Sequence, residues 1–220
     1  MSLFILVAVV IIGFVIYSAM AAAQRRKDLA VVAGQLGLQF QPDKDYGLPG
    51  RYAFLHRLNE GSNRYAFNML SGRRQEQQVG IFDYHYETYS TDSKGNQQTD
   101  HHYFTINVLA LPKAFPDLTI VKEGLLSKIA QALGYDDIDF ESAEFSKAFC
   151  VRSPDKKFAY DVCHARMMEY LLANRDLNVE INQDCLALVF PGQVRPELIG
   201  PNLERLLAIR ALLPEYLWNT

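Results

Sequence analysis

Residues 78–90 read QVGIFDYHYETYS, and their alternation decides the architecture. Phe82, Tyr84 and Tyr86 fall on one side of an extended chain, Asp83, His85 and Glu87 on the other. The run HHYFTINVLALP, 101–112, has the same period and is a natural return strand. Between them STDSKGNQQTD, Ser90–Asp100, carries turn residues around Gly95-Asn96, as a long hairpin tip requires. Upstream, RYAFNMLSG (64–72) and RYAFLHRL (51–58) also read as strands, with Ser71-Gly72-Arg73-Arg74 as a turn. The expectation is an antiparallel meander of about four strands.

Working outward toward the C-terminus, the pattern becomes mixed. EGLLSKIAQALG (123–134) predicts a short helix through Leu125, Leu126, Ile129 and Leu133, closed by Gly134. A capped helical turn is expected from Ser142. AFCVRSPDKKFAYDV reads as two short strands about Ser153-Pro154-Asp155, and HARMMEYLLAN as an amphipathic helix. LNVEINQDCLALVF reads as a hairpin turning at Asn182-Gln183-Asp184. PNLERLLAIRALLPEYLW predicts a helix with Pro201 near its first turn and Leu203, Leu206, Leu207 and Leu213 facing the core, ended or kinked at Pro214. Strands interrupted by helices without βαβ alternation define an α+β class with antiparallel sheet. A partly closed sheet capped by the terminal helix, pleckstrin-homology-like in outline, fits this order.

Working outward toward the N-terminus, LFILVAVVIIGFVIYSAMAAA, Leu3–Ala23, contains no charged residue. As a helix it spans roughly 31 Å, the thickness of a bilayer's hydrocarbon core, and satisfies its own backbone groups in lipid. A cleaved secretory signal is the competing reading, because SAMAAA offers small-residue cleavage sites. Such a signal, however, needs a positive n-region and a shorter apolar core. A buried core helix seldom stays apolar on every face, and no nearby cysteine is available for acylation. The span therefore reads as a transmembrane anchor. Arg25, Arg26 and Lys27 follow it directly, which predicts an outside N-terminus and a cytoplasmic domain at a plasma (inner) membrane. Leu29, Val32, Ala33 and Leu36 then form one helical face, ended by Gly37, and that stripe is expected to dock on the domain. The expected division is an anchor over 1–24, a juxtamembrane helix and linker over 25–50, and a globular domain over 51–220, with a possible subdivision near 112–124.

The 220 residues carry a net charge of −3, so no global basic field draws nucleic acid, and no nucleic-acid partner is expected. The 12 Tyr and 13 Phe suit a packed, strand-rich body rather than a disordered one. Three cysteines, with no CxxC pair, argue against a disulfide framework. GxxxxGK[ST], GxGxxG, HExxH, GxSxG and zinc-finger spacings are all absent, which lowers the prior for common nucleotide, protease and hydrolase chemistry.

The best constellation for chemistry lies on the central hairpin. His85 and Glu87, with His101 or His102 from the return strand, offer two imidazoles and a carboxylate, a set suited to zinc or non-haem iron. The plain alternative is a solvent-facing strand surface, which needs alternating polar residues anyway. Asp136, Asp137, Asp139 and Glu141 are a second acidic group, but acidic residues ahead of a helix favour its dipole without any metal. Cys163-His164 is adjacent in sequence, whereas a nucleophilic pair needs spatial contact. Arg25, Arg26 and Lys27 are expected to meet the membrane surface, with Arg73-Arg74 and Lys156-Lys157 as lesser candidates at turns.

The block FESAEFSKAFCVRSPDKKFAYDVCHARMMEYLL, Phe140–Leu172, together with IFDYHYETY, Ile81–Tyr89, resembles blocks in bacterial single-span membrane-anchored proteins of undefined activity. In those proteins an apolar N-terminal span and an LGLxF-like stretch, here Leu36-Gly37-Leu38-Gln39-Phe40, come first. The resemblance implies a membrane-tethered domain and carries over no catalytic residue. The expectation is therefore a protein- or lipid-headgroup-interaction module, more a binder than an enzyme. Its partners are the lipid bilayer and a membrane protein, with no cofactor and no catalytic residue assigned and the small-molecule ligand unknown. A membrane-anchored metal enzyme built on His85 is the alternative.

Overall fold

The computed structural model describes residues 2–92, 95–123 and 136–218, without the side chains of 2–4 and 57. The helix expected over 123–134 lies outside the described residues apart from Glu123.

Helix α1, Ser2–Leu36, is unbroken from the apolar span into the domain. Ile5–Leu36 is long and apolar enough to cross a membrane, and its most apolar stretch is wholly exposed, unlike the core helix of a soluble protein. Leu29 and Ala33 are buried while Val32 and Leu36 pack at the core's edge, so the expected stripe docks on the domain. Gly37, at φ +70°, ends the helix, and Leu38 N–H donates to Ala33 O at 2.8 Å.

The body is α+β, as expected. Among the described residues, six antiparallel strands form one sheet: β1 (Gln39–Gln41), β2 (Ser62–Arg74), β3 (Gln77–Thr91), β4 (Gln97–Lys122), β5 (Phe149–Arg152) and β6 (Val179–Pro191). The order is β1-β2-β3-β4, and β4 then carries β6 along one side and β5 beyond β3 on the other. β4 and β6 remain paired past 112, with a register shift between Ala110 and Phe115. Pro112, which has no N–H, falls where neither β3 nor β5 pairs with β4, so no ladder donor is lost on that side.

Both faces of the sheet are covered. One packs Val79, Ile81, Leu109 and Leu188 against α1 and the helices α3 (Ala143–Ala148), α4 (Lys156–Val162), α5 (Ala165–Ala173) and α6 (Ile199–Leu212). Leu203, Leu206, Leu207 and Leu213 are all buried here, and α6 starts two residues before Pro201. The other face packs Phe82, Tyr84, Tyr86 and Ile106 beneath Leu48 of the short α2 (Leu48–Arg51) and Leu55 and Leu58.

Four local expectations are corrected. Residues 51–58 are not a strand: α2 and a 3-10 turn, His56–Asn59, cover the second core instead. Ser71–Arg74 belong to β2, and the reversal occurs at Gln75 and Glu76, both at positive φ. Lys156–Val162 is helical because the Asp155 carboxylate accepts the Phe158 N–H at 3.0 Å, a side-chain N-cap. The segment 179–191 is a single strand, and the expected hairpin at Asn182-Gln183-Asp184 is a bulge with Gln183 at φ +52°. Ser142 does cap α3 as expected, accepting from Phe145 N–H at 3.3 Å.

Candidate functional site

The alternating face of β3 carries the candidate side chains, and it is not solvent-facing. Asp83 and His85 are 2% and 1% exposed, and Glu87 is 9% exposed. Burial of three ionisable groups in a row demands partners, because an uncompensated buried charge costs several kcal/mol.

Asp83 finds its partner in the anchor helix. The Arg25 guanidinium donates from Nη2 to both carboxylate oxygens at 3.0 Å and from Nε to Oδ2 at 3.3 Å. Its Nη1 donates to Val194 O at 2.6 Å, so one side chain ties α1 to β3 and to the loop after β6. Asn68 Nδ2, Thr105 Oγ1 and Gln193 Nε2 complete the carboxylate's hydrogen bonds at 2.9, 2.9 and 3.1 Å. Arg25, expected at the lipid surface, thus spends its charge inside the protein. Its neighbours Arg26 and Lys27 are exposed.

Two residues further along β3, about 7 Å on, His85, Glu87 and His101 converge. The β3–β4 register sets His101 directly across from Glu87 and Tyr103 across from His85, so three ligand-type side chains share one face. His85 Nε2 and His101 Nδ1 are 3.0 Å apart, His101 Nδ1 and Glu87 Oε1 3.4 Å, and His85 Nε2 and Glu87 Oε1 3.9 Å. The same register excludes His102. It pairs with Tyr86 on the opposite face, stacks on that ring at 4.6 Å and hydrogen-bonds Thr88 at 2.8 Å.

Asn63 positions this cluster. Its backbone carbonyl lies 3.2 Å from His85 Nδ1, and its amide donates to Glu87 Oε1 at 2.7 Å. A hydrogen on Nδ1 bonded to that carbonyl leaves Nε2 as a lone pair directed at His101 and Glu87. Asn63 sits at φ +47° within an irregularity of the β2–β3 register between Ser62 and Tyr65. Burial holds the His85 pKa below its ordinary value, with help from the charges of His101 and Lys44. The Asn63 hydrogen bond, with that of Tyr89, holds Glu87 below the usual carboxylate range. A neutral imidazole and an ionised carboxylate are the ligand forms a cation needs.

A second group was not foreseen in the sequence: His56, Asp117 and Glu180. His56 Nε2 lies 2.8 Å from Asp117 Oδ2, and its backbone N–H donates to Glu180 Oε1 at 2.7 Å. His56 falls in a stretch whose pattern reads as a strand, and the three positions are far apart along the chain, so no spacing signals the group. Its geometry closes the 3-10 turn onto β4 and β6.

The remaining candidates serve the fold. Asp137 Oδ1 accepts the Val151 N–H at 2.9 Å, anchoring the acidic stretch to β5. The Cys163 thiol is buried and raised by desolvation, while His164 Nε2 bonds Leu212 O at 2.9 Å, so the adjacent pair makes no nucleophile. Burial also pushes the Cys150 and Cys185 thiols up to about 12. Arg74 pairs with Glu204 at 3.2 Å and Lys157 with Asp161 at 2.8 Å. The β2–β3 turn lies beside Leu38, roughly 18 Å along α1 from Arg25, so Arg73 and Arg74 sit at the end of the helix away from the span. A cavity of about 180 Å³ beneath Leu48 and Tyr52 falls below the roughly 300 Å³ where small-molecule sites begin.

No protein-family model matches the chain, and no curated protein matches it. Among solved structures, it is similar to the crystal structure of the mycobacterial trehalose monomycolate transport factor A, TtfA. The likeness has a TM-score of 0.59 at 14% identity and covers 88% of this chain and 96% of the other. At that identity the likeness is one of fold.

Proposed function

We propose that this chain is a single-span accessory subunit whose domain works by contact with another membrane protein, presented at a fixed pose beside the bilayer. The observation that carries this reading is the Arg25–Asp83 clamp. A domain on a loose linker samples many poses, whereas a helix held by a buried ion pair and by Leu29 and Ala33 presents the same surface throughout. The fold shared with a mycobacterial transport factor points the same way. We place the N-terminus outside and the domain in the cytoplasm of a plasma (inner) membrane, on the charge asymmetry around the span. Topology is decided as the helix inserts, before Arg25 finds Asp83. Arg26 and Lys27 then meet anionic headgroups, each contributing on the order of 1 kcal/mol.

The test is photo-crosslinking in native membranes from residues on the exposed face of the domain, at native expression. One discrete adduct with a second membrane protein is expected, weakened in Arg25→Ala although that variant still inserts. Crosslinks to lipid alone would overturn the reading.

A further inference from the structure

We propose that His85, Glu87 and His101 form a binding site for one divalent transition-metal ion of the zinc type. Atoms separated by 3.0, 3.4 and 3.9 Å share a common point about 2.0 Å from each, the length of Zn–N and Zn–O bonds. Two imidazoles and one carboxylate are a borderline ligand set that selects zinc-like ions over magnesium or calcium. His101 is half exposed, which leaves the outward coordination position to water.

The surroundings are built for this arrangement. Metal-bound histidines ordinarily donate their other ring N–H to a carbonyl, and His85 has Asn63 O at 3.2 Å for that purpose. Glu87 is likewise held, by Asn63 Nδ2 at 2.7 Å and by Tyr89 OH at 3.0 Å. Both contacts from Asn63 depend on a left-handed backbone that a non-glycine residue adopts only at a cost, and such strain gathers at ligand sites. Gly61 has the same origin. A Cβ there would come within 2.4 Å of Glu87 O, so only glycine lets β2 approach the ligand strand this closely. The rings of Tyr65 and Tyr103 flank His85 at 4.5 and 4.9 Å and lock its orientation.

The site is independent of the contact role, and its test reads the ion alone. The full chain in detergent, stripped with a chelator, is titrated with Co²⁺ and then Zn²⁺. One saturable equivalent of Co²⁺, displaced by Zn²⁺, is expected. His101→Ala and Glu87→Gln should each weaken binding more than about a hundredfold, since even outer-shell losses cost 10–100-fold, while His102→Ala leaves it unchanged. Circular dichroism confirms that the variants fold, and the buried His85 is left intact for that reason. Absence of saturable binding in the wild type, or unchanged binding in either ligand variant, overturns the proposal.

Discussion

Replacing Asp83 by alanine strands the Arg25 guanidinium, 15% exposed, without its counter-charge and removes an acceptor that Asn68, Thr105 and Gln193 share. Breaking a buried pair from one side costs about 3–5 kcal/mol, to be read from denaturant unfolding of the detergent-solubilised chain. Arg25→Lys should recover little of it, because an ammonium cannot bridge both carboxylate oxygens and reach Val194 O as the planar fork does. His56 gives a pH signature of opposite character. Burial lowers its pKa, but the Asp117 hydrogen bond and the Glu180 charge outweigh this and raise it above 6.5. A raised folded pKa means that the imidazolium's stabilisation is fully present below about pH 6.5 and is lost as pH rises through the folded value. The stability difference between wild type and His56→Gln should therefore be larger near pH 5.5 than near pH 8.5.

The β2 irregularity and the docked end of α1 set the expectations for elements. Gly61→Ala forces a side chain onto φ +62° and against the Glu87 carbonyl, a backbone atom that cannot give way. The cost is about 1–3 kcal/mol, and the expected result is a lower melting temperature together with a displaced Glu87. Leu29→Ala opens a cavity where α1 meets the sheet and should cost about 2–5 kcal/mol, with faster proteolysis between the span and β1 as the local readout. Elements were legible where one period ran uninterrupted, as in β3, where Phe82, Tyr84 and Tyr86 alternate with Asp83, His85 and Glu87 and mark an extended strand. They were misread where one side chain overrode the pattern. KKFAYDV alternates well enough for a strand, yet the Asp155 cap and the burial of Phe158, Ala159 and Val162 on one face make it a helix. Asn182-Gln183-Asp184 has turn chemistry, yet the chain continues because β4 runs alongside on both sides of the bulge.

For the molecule as a whole, topology is the first quantity to measure. A reporter at the C-terminus, active only in the cytoplasm, should give signal in the wild type; its silence, with signal from a second reporter active only outside, would reverse the orientation proposed from Arg25, Arg26 and Lys27. The site was partly legible at this scale. Alternation placed His85 with Glu87, but choosing His101 over His102 needed the β3–β4 register. The Arg25–Asp83 pair, 58 residues apart, had no local signal, because a cation after an apolar span reads first as a lipid contact. An unbroken α1 has a mechanical consequence. A span longer than the local hydrocarbon thickness tilts, and a clamped helix passes that tilt to the domain instead of absorbing it in a joint. A change of about 10° moves a point about 30 Å away by about 5 Å, so the thickness of the surrounding bilayer sets the angle at which the domain meets whatever lies beside it.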